Sequence, residues 1–277
     1  MDTDHRFWLI ELMAYWEGEI STRHLQHFFQ LSRQQASKYL VRYRRQHPGK
    51  LEYCPRRKRF VPTPEFIPEH ITGNVNEYLD WMTGRRIVPE INDPALTLQH
   101  LSLSPPPRSV SHIVMRGLVK AMRQQYRLEV DYLSVSNPDE EGRIIVPHTF
   151  VNTGLRWHLR AWCEKNRDYR DFVLSRFRGR PELLGPSEHG AEQDHAWNTF
   201  VKVILRPDPR LSKAKQAVVA QDYKMTNGQL ILTTRAALVQ YLLQEMQVSV
   251  KVLDGTPEAQ QLVLANAEEL RPWLFNS

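Results

Sequence analysis

Residues 32–45 read Ser32-Arg33-Gln34-Gln35-Ala36-Ser37-Lys38-Tyr39-Leu40-Val41-Arg42-Tyr43-Arg44-Arg45, the pattern of a short helix with two unlike faces. Ser32 is an N-cap, its hydroxyl suited to accept from a backbone N–H that the first turn leaves open. Ala36, Tyr39, Leu40 and Tyr43 recur at helical spacing and are expected to pack inward. Gln34, Lys38, Arg42 and Arg45 fall opposite with no acid among them, so the interleaved i±4 carboxylates of an ordinary basic surface helix are missing. Upstream, Leu9, Leu12, Met13 and Trp16 mark a helix over residues 5–16. Ser21 caps a second helix through Phe28 that is expected to bury Leu25 and Phe28. A three-residue break, 29–31, separates it from the helix at Arg33, which is helix-turn-helix spacing. Downstream, Leu51–Cys54 and Arg59–Pro62 flank Pro55-Arg56-Arg57-Lys58, a hairpin with a four-residue basic tip.

Charge follows the same pattern. From Arg33 to Arg59 ten Lys/Arg face one acid, Glu52, a net +9, while the whole chain is +6, so the other 250 residues carry −3. A field packed into one stretch is the electrostatic footprint of a polyanion partner, and here the pattern points to double-stranded DNA. Gln pairs bidentately with adenine and Lys or Arg with guanine, so Gln34, Gln35 and Lys38 suit base edges. Ser32, Arg33, Arg42 and Arg45 complete the expected contact set on the helix, with Ser37 short enough for close backbone approach. Arg56, Arg57, Lys58 and Arg59 form a wing that would meet phosphate. A solvated basic face is the alternative reading of any charge run.

At 277 residues with 41% hydrophobic and 25% charged content, the chain fits two or three domains with real cores. No apolar run approaches the roughly 18–20 residues of a membrane span. The start, Met1-Asp2-Thr3-Asp4-His5, lacks a signal-peptide pattern, and Cys54 and Cys163 form no C-x-x-C, so a cytoplasmic protein without zinc finger or disulfide scaffold is expected. Phosphate-loop, nucleophile-elbow, zincin and dinucleotide motifs are missing from the sequence. The eleven histidines, His24, His27, His189 and His195 among them, show no metal-ligand spacing, and Asp139-Glu140-Glu141 reads as a solvated hairpin tip. No catalytic residue, metal or cofactor is therefore expected. An enzyme acting on nucleic acid or nucleotides, and a constitutive architectural DNA-binding protein, stand as the competing classes.

Pro62–Pro68 is a connector, residues 74–82 form a short helix, and Leu96–Leu103 has no clear period. Ser104-Pro105-Pro106-Pro107 marks a boundary. A helix from Ser109 follows, with Ile113, Leu118, Met122 and Tyr126 available for burial. The period then changes to two, predicting strands at Leu128–Ser136, Arg143–Val151, Leu155–Glu164 and Tyr169–Phe177, a small barrel or curved sheet. Trp157, Leu159, Ala161 and Cys163 make the core face of the third strand. Parity groups Tyr132, Ser134, Ser136, His148, Arg156, His158, Arg160, Phe172, Leu174 and Arg176 on the other face, with Asp171 out of parity. Guanidinium, imidazole and hydroxyl groups together suit an anion.

Arg156-Trp157-His158-Leu159-Arg160-Ala161-Trp162-Cys163, followed by Tyr169–Phe177, resembles the signature of WYL domains. Trp157 and Leu159 match its first and third letters, and Phe172 and Arg176 match its later strand. His158 stands where the pattern has Tyr, and Ser175 where Asp is common. A winged helix-turn-helix, a WYL domain and a C-terminal extension, in that order, resemble bacterial WYL regulators across essentially the whole chain, and the BrxR/CapW group above all. The resemblance implies an Sm-like β-barrel, a dimeric repressor associated with anti-phage defence operons, and a pocket for an anionic, nucleotide or nucleic-acid-derived effector. By it, Tyr132, Ser134, His148, His158, Arg160 and Arg176 are the pocket positions.

Toward the C-terminus, strand 199–205, helix Leu211–Ala220, a hairpin of Asp222–Thr226 and Gln229–Thr234 around Asn227-Gly228, helix Arg235–Met246 and strand Val248–Leu253 predict a ferredoxin-like β-α-β-β-α-β order, followed by a helix Pro257–Leu270. The fold class expected is α+β multidomain. Residues 1–68 form the winged helix-turn-helix, 69–107 a helical linker, 108–186 the WYL barrel and 187–277 a dimerisation extension. A homodimer on an inverted-repeat operator follows from the two-fold logic of such proteins.

Overall fold

The computed structural model describes residues 3–84, 106, 108–135, 138, 141–249 and 256–274. Helices α1 (Thr3–Glu17), α2 (Thr22–Phe29) and α3 (Arg33–Gln46) lead into the hairpin β1 (Leu51–Cys54) and β2 (Arg59–Pro62). Cys54 pairs with Arg59, so residues 55–58 are the tip, and Ile20 exchanges two backbone hydrogen bonds with Phe60. Phe7, Leu9, Ile10, Leu12, Met13, Ala14 and Trp16 are all buried, making α1 apolar nearly all round, the property of a central helix. Leu25 of α2 is buried, but Phe28 is 41% exposed, contrary to expectation. Its neighbour Phe29, four residues after Leu25, takes the inward position.

Helix α4 (Val75–Met82) is capped by Asn74, and α5 (His112–Gln124) by Ser111. The expected linker segment Leu96–Leu103 lies outside the described residues. Helix α5 buries Val114, Met115, Leu118, Val119 and Ala121, whereas Ile113, expected inside, is exposed in the first turn. A Cβ at Gly117 would lie 2.8 Å from the Cβ of Pro181, so glycine is what lets α5 sit close against the sheet.

That sheet is β3 (Tyr126–Tyr132), β4 (Glu141–Asn152), β5 (Trp157–Cys163), β6 (Asp168–Val173) and β7 (Phe177–Pro186), antiparallel in the order β6-β5-β4-β3-β7. The fourth strand expected over Tyr169–Phe177 ends early, at Val173, and Leu174–Arg176 form a 3-10 turn. Strand β7, a stretch to which the sequence reading assigns no element beyond Phe177, then pairs with β3. Its Gly179, Pro181 and Gly185 look like punctuation, but an edge strand with bulges accommodates them. Core side chains run without a break from α1 through α5 into this sheet.

The remainder is α6 (His195–Asn198), β8 (Phe200–Pro207), α7 (Lys213–Asp222), β9 (Leu230–Arg235), α8 (Val239–Glu245), α9 (Pro257–Gln260), β10 (Leu262–Leu264) and α10 (Ala267–Leu270), with its own apolar cluster. The sheet order is β10-β8-β9. The ferredoxin-like order is not what the described residues form. Asp222 ends α7, and only Thr226 bridges Gln229 across the positive-φ turn Asn227-Gly228, so no strand precedes that turn. Val248 and Ser249 are not strand, and the rest of that expected strand lies outside the described residues. The single helix expected over 257–270 is instead two short helices around β10, which pairs with β8 because Leu262 and Val263 bury there.

Candidate functional site

The start of α3 is a capping box: Gln35 N–H donates to Ser32 Oγ at 3.2 Å, and Ser32 N–H to Gln35 Oε1 at 2.9 Å. Both side chains thus cap the start of the helix, a role the sequence reading gives to Ser32 but not to Gln35, and it places both at DNA as well. Arg33, Gln34, Ser37, Lys38, Arg42 and Arg45 are all exposed and line one shallow groove of about 660 Å³. Val41 shares it at 59% exposure. Sequence reasoning passes over Val41 as apolar, yet its spacing three after Lys38 and four before Arg45 puts it on that face. A methyl contact to thymine is what such a residue offers.

Arg56, Arg57 and Lys58 are exposed on the hairpin tip. Arg59 is not with them: its Nη1 donates to Glu19 Oε1 at 2.5 Å, tying β2 to the α1–α2 turn. Arg44 lies 5.3 Å over the Phe60 ring, which braces α3 against the hairpin.

The polar face of the five-stranded sheet is not a solvent-facing pocket. Arg160, 6% exposed, donates from Nε and Nη2 to the two oxygens of Asp194 at 2.6 and 3.0 Å, and from Nη1 to Asp171 at 3.1 Å. Tyr241 of α8 donates to the other Asp171 oxygen at 3.1 Å. Asp171, set aside on parity, is the residue directly opposite Arg160 in the β5–β6 ladder, and opposed residues share a face. His148, at a bulge in β4, faces Asp194 from Nε2 at 3.1 Å and Thr149 from Nδ1 at 2.8 Å. Burial by itself disfavours the charged forms of both Arg160 and Asp194. Their mutual hydrogen bonds, with His148 at Asp194, win and hold both charged. Burial keeps Asp171 above the usual carboxylate range despite Arg160.

Tyr132 is buried with Phe172 and Phe177 around its ring, and its hydroxyl accepts from Val173 N–H at 2.9 Å. It is a core residue, not a lining one. Ser134 is half-buried just beyond β3.

His158 and Arg176 belong to a different group. His158 is 2% exposed, its Nδ1 has no hydrogen-bond partner, and its ring rests 4.9 Å from Tyr241. Burial, then the charges of Arg156, Arg176 and Arg108, lower its pKa to about 4. Among the described residues none of these three arginines has a carboxylate partner. Arg108 and Arg156 line a cleft of about 230 Å³ between α4, the segment entering α5 and the β4–β5 turn. His158 therefore stands in the field of Arg176, of Arg156, which parity groups on the same face, and of Arg108, which the sequence reading does not name, while Arg160 and His148 meet at Asp194. Arg156 is legible as a basic residue at the strand start; Arg108, remote in sequence, is not. Among the described residues no group of three His, Cys, Asp or Glu could hold a metal ion, and no helix is long and apolar enough to cross a membrane.

Three family models match the chain: the BrxR transcriptional regulator winged helix-turn-helix domain over residues 2–84, the WYL domain over 114–180, and the BrxR transcriptional regulator C-terminal dimerization domain over 200–270. A protein of Escherichia coli strain KTE188 described as DNA-binding transcriptional repressor CapW is 34% identical over 96% of this chain and 90% of its own. Its namesake from Pseudomonas aeruginosa is 31% identical over 97% and 90%. Among solved structures, proteasome accessory factor B/C of Arthrobacter aurescens matches at 15% identity over 98% of this chain and 45% of its own, with a TM-score of 0.29.

Proposed function

The chain belongs to the BrxR/CapW family of transcriptional regulators, and from that premise we propose that it is a homodimeric DNA-binding repressor acting on an inverted-repeat operator, with an effector site in its WYL domain. The observation that carries this reading is the acid-free exposed face of α3, beside a hairpin tip with three exposed cations. Residues 1–68 would read DNA, 108–186 would carry the sensor on an Sm-like sheet, and 187–277 would pair two protomers so that their α3 helices meet successive major grooves. Regulation of a defence operon fits the family resemblance. The relatives' name is that of a repressor and not of an enzyme.

Positioning and readout separate experimentally. Replacing Arg56, Arg57 and Lys58 together by Ala is expected to weaken binding to every duplex and to reduce the salt slope by about 0.9 for each phosphate no longer neutralised. Gln34→Ala or Lys38→Ala is expected to relax base preference, costing about 1–3 kcal/mol on the operator alone. Binding curves across a salt series on operator and scrambled duplexes check both. An unchanged salt slope in the triple variant removes the hairpin from the DNA backbone.

For the effector, Arg108, Arg156 and Arg176 around His158 form the anion receptor in this reading, and Arg160 does not. Burial is the main reason His158 stays unprotonated, and an anion would offset the part that the three guanidinium groups add, so affinity for it should rise as pH falls from about 6.5 toward 4. Such a ligand regulates only through unequal affinity for the DNA-competent and incompetent dimers, with a coupling of about 1–3 kcal/mol being ordinary. Titration calorimetry with pyrophosphate and a short single-stranded oligonucleotide, on wild type and Arg156→Ala/Arg176→Ala, is the check. Equal binding by both proteins sinks the site.

A further inference from the structure

A second basic surface lies apart from α3. Between the hairpin, the end of α1 and helix α5 runs an open groove of about 1010 Å³. Helix α5 carries Arg116, Lys120 and Arg123 at i, i+4 and i+7 and has no acid anywhere along it. The two carboxylates in the groove are both neutralised, Glu17 by Arg123 and Glu19 by Arg59. Arg116 donates to the carbonyls of Tyr15 at 2.8 Å and Ala14 at 3.1 Å, covering the negative end of α1. The floor is therefore close to neutral. Its rim keeps Arg56 and Arg57 on one side and Lys120 on the other, all exposed and without an acid partner among the described residues.

We propose that this groove holds the sugar-phosphate backbone of the DNA flanking each half-site, so that α5 extends the protein's footprint beyond the wing. The inference rests on the reading that α3 and the hairpin bind DNA. Two features favour a phosphodiester track over a small anion. The cations are on the rim, on long solvated side chains, and no enclosed cluster of donors converges on one point. Arg56 and Arg57 also belong to the hairpin tip, so the groove continues the surface already assigned to phosphate. Such contacts add affinity and salt dependence without reading sequence.

The test uses the full chain and two operator duplexes, one ending at the outer edges of the half-sites and one extended on each side by about ten base pairs, roughly one helical turn. Wild type is expected to bind the extended duplex more tightly and with a steeper salt slope. Lys120→Ala should lose that increment, its slope falling by about 0.9 for each phosphate that Lys120 had neutralised, while Lys120→Arg retains it. Base preference within the half-site should be unchanged in both. Wild type gaining nothing from the flanks, or Lys120→Ala gaining as much as wild type, overturns the groove assignment and leaves the half-site reading standing. Relaxed base preference in Lys120→Ala would instead put Lys120 at the half-site and also overturn it. Failure of wild type to prefer operator over scrambled duplex defeats the underlying DNA reading, a separate result.

Discussion

Asp194→Ala is expected to destabilise the protein by about 3–5 kcal/mol, because it strands a guanidinium inside the sheet. Asp194 is 1% exposed and takes two hydrogen bonds from Arg160, faces His148, and accepts from Trp197 N–H to cap α6. Removing it leaves Arg160 with Asp171 alone and deprives α6 of its cap, a loss of about 1 kcal/mol in its own right. The denaturant midpoint measures the effect. Replacing both charges, Arg160→Met with Asp194→Leu, should recover part of the loss, since it removes the stranded guanidinium and leaves only Asp171, which keeps its hydrogen bond from Tyr241 and whose pKa burial already raises. A double variant as unstable as the single one would show that the ion pair is not the source.

The pH dependence of that stability has a defined sign. Burial raises the Asp194 pKa, but the hydrogen bonds of His148, Arg160 and Trp197 N–H, with the Arg160 charge, hold it well below the ordinary carboxylate range. A depressed carboxyl contributes in full above its unfolded value of about 3.9 and loses the contribution as pH falls through the folded one. His158 acts earlier. Its imidazole is buried neutral, so the unfolded chain takes up protons first, and stability should fall as pH drops from about 6.5 toward 4. Midpoints measured across that range should slope less steeply in His158→Gln.

The same network explains what the sequence conveys and what it withholds. Local chemistry is legible: Ser32 capping a helix, the four-residue tip at 55–58 and the apolar alternation of Trp157, Leu159, Ala161 and Cys163 all stand in the structure as the sequence predicts them. The polar alternation of His158 and Arg160 is likewise non-random, as its composition suggests. What periodicity cannot supply is the partner, because Asp194 is 34 residues from Arg160 and Tyr241 is 70 from Asp171. Parity misplaces Asp171 because it assumes a strand running on to Phe177, when the 3-10 turn at Leu174–Arg176 resets the alternation. Strand β7 escapes for a related reason, since Gly and Pro signal a loop until an edge position and a bulge make room for them. Gln35 carries a role that its suitability for adenine does not reveal: its amide oxygen accepts from Ser32 N–H in the helix cap.

Glu11→Ala should be comparably severe at the DNA-binding end. Glu11 is fully buried in α1, where one oxygen accepts from the Tyr43 hydroxyl at 2.8 Å and the other from Glu69 and His70 N–H at 2.7 and 2.5 Å. Three donors converge on this one buried carboxylate, and the Tyr43 hydroxyl, buried with it, costs about 1–3 kcal/mol if left unpaired. Tyr43 is the inward anchor of α3, also buried, with Phe7 edge-on at 5.2 Å. Loss of Glu11 therefore loosens the recognition helix from within while leaving every exposed contact residue in place. Operator affinity should fall together with the denaturant midpoint, and both should recover partly in Glu11→Gln, whose amide oxygen still accepts. Tyr43→Phe provides the internal comparison, since it removes one donor together with its need. It should cost only about 1 kcal/mol and leave base preference intact. If Glu11→Ala lowered operator affinity with the midpoint unchanged, Glu11 would be acting at the DNA and not through the packing of α3.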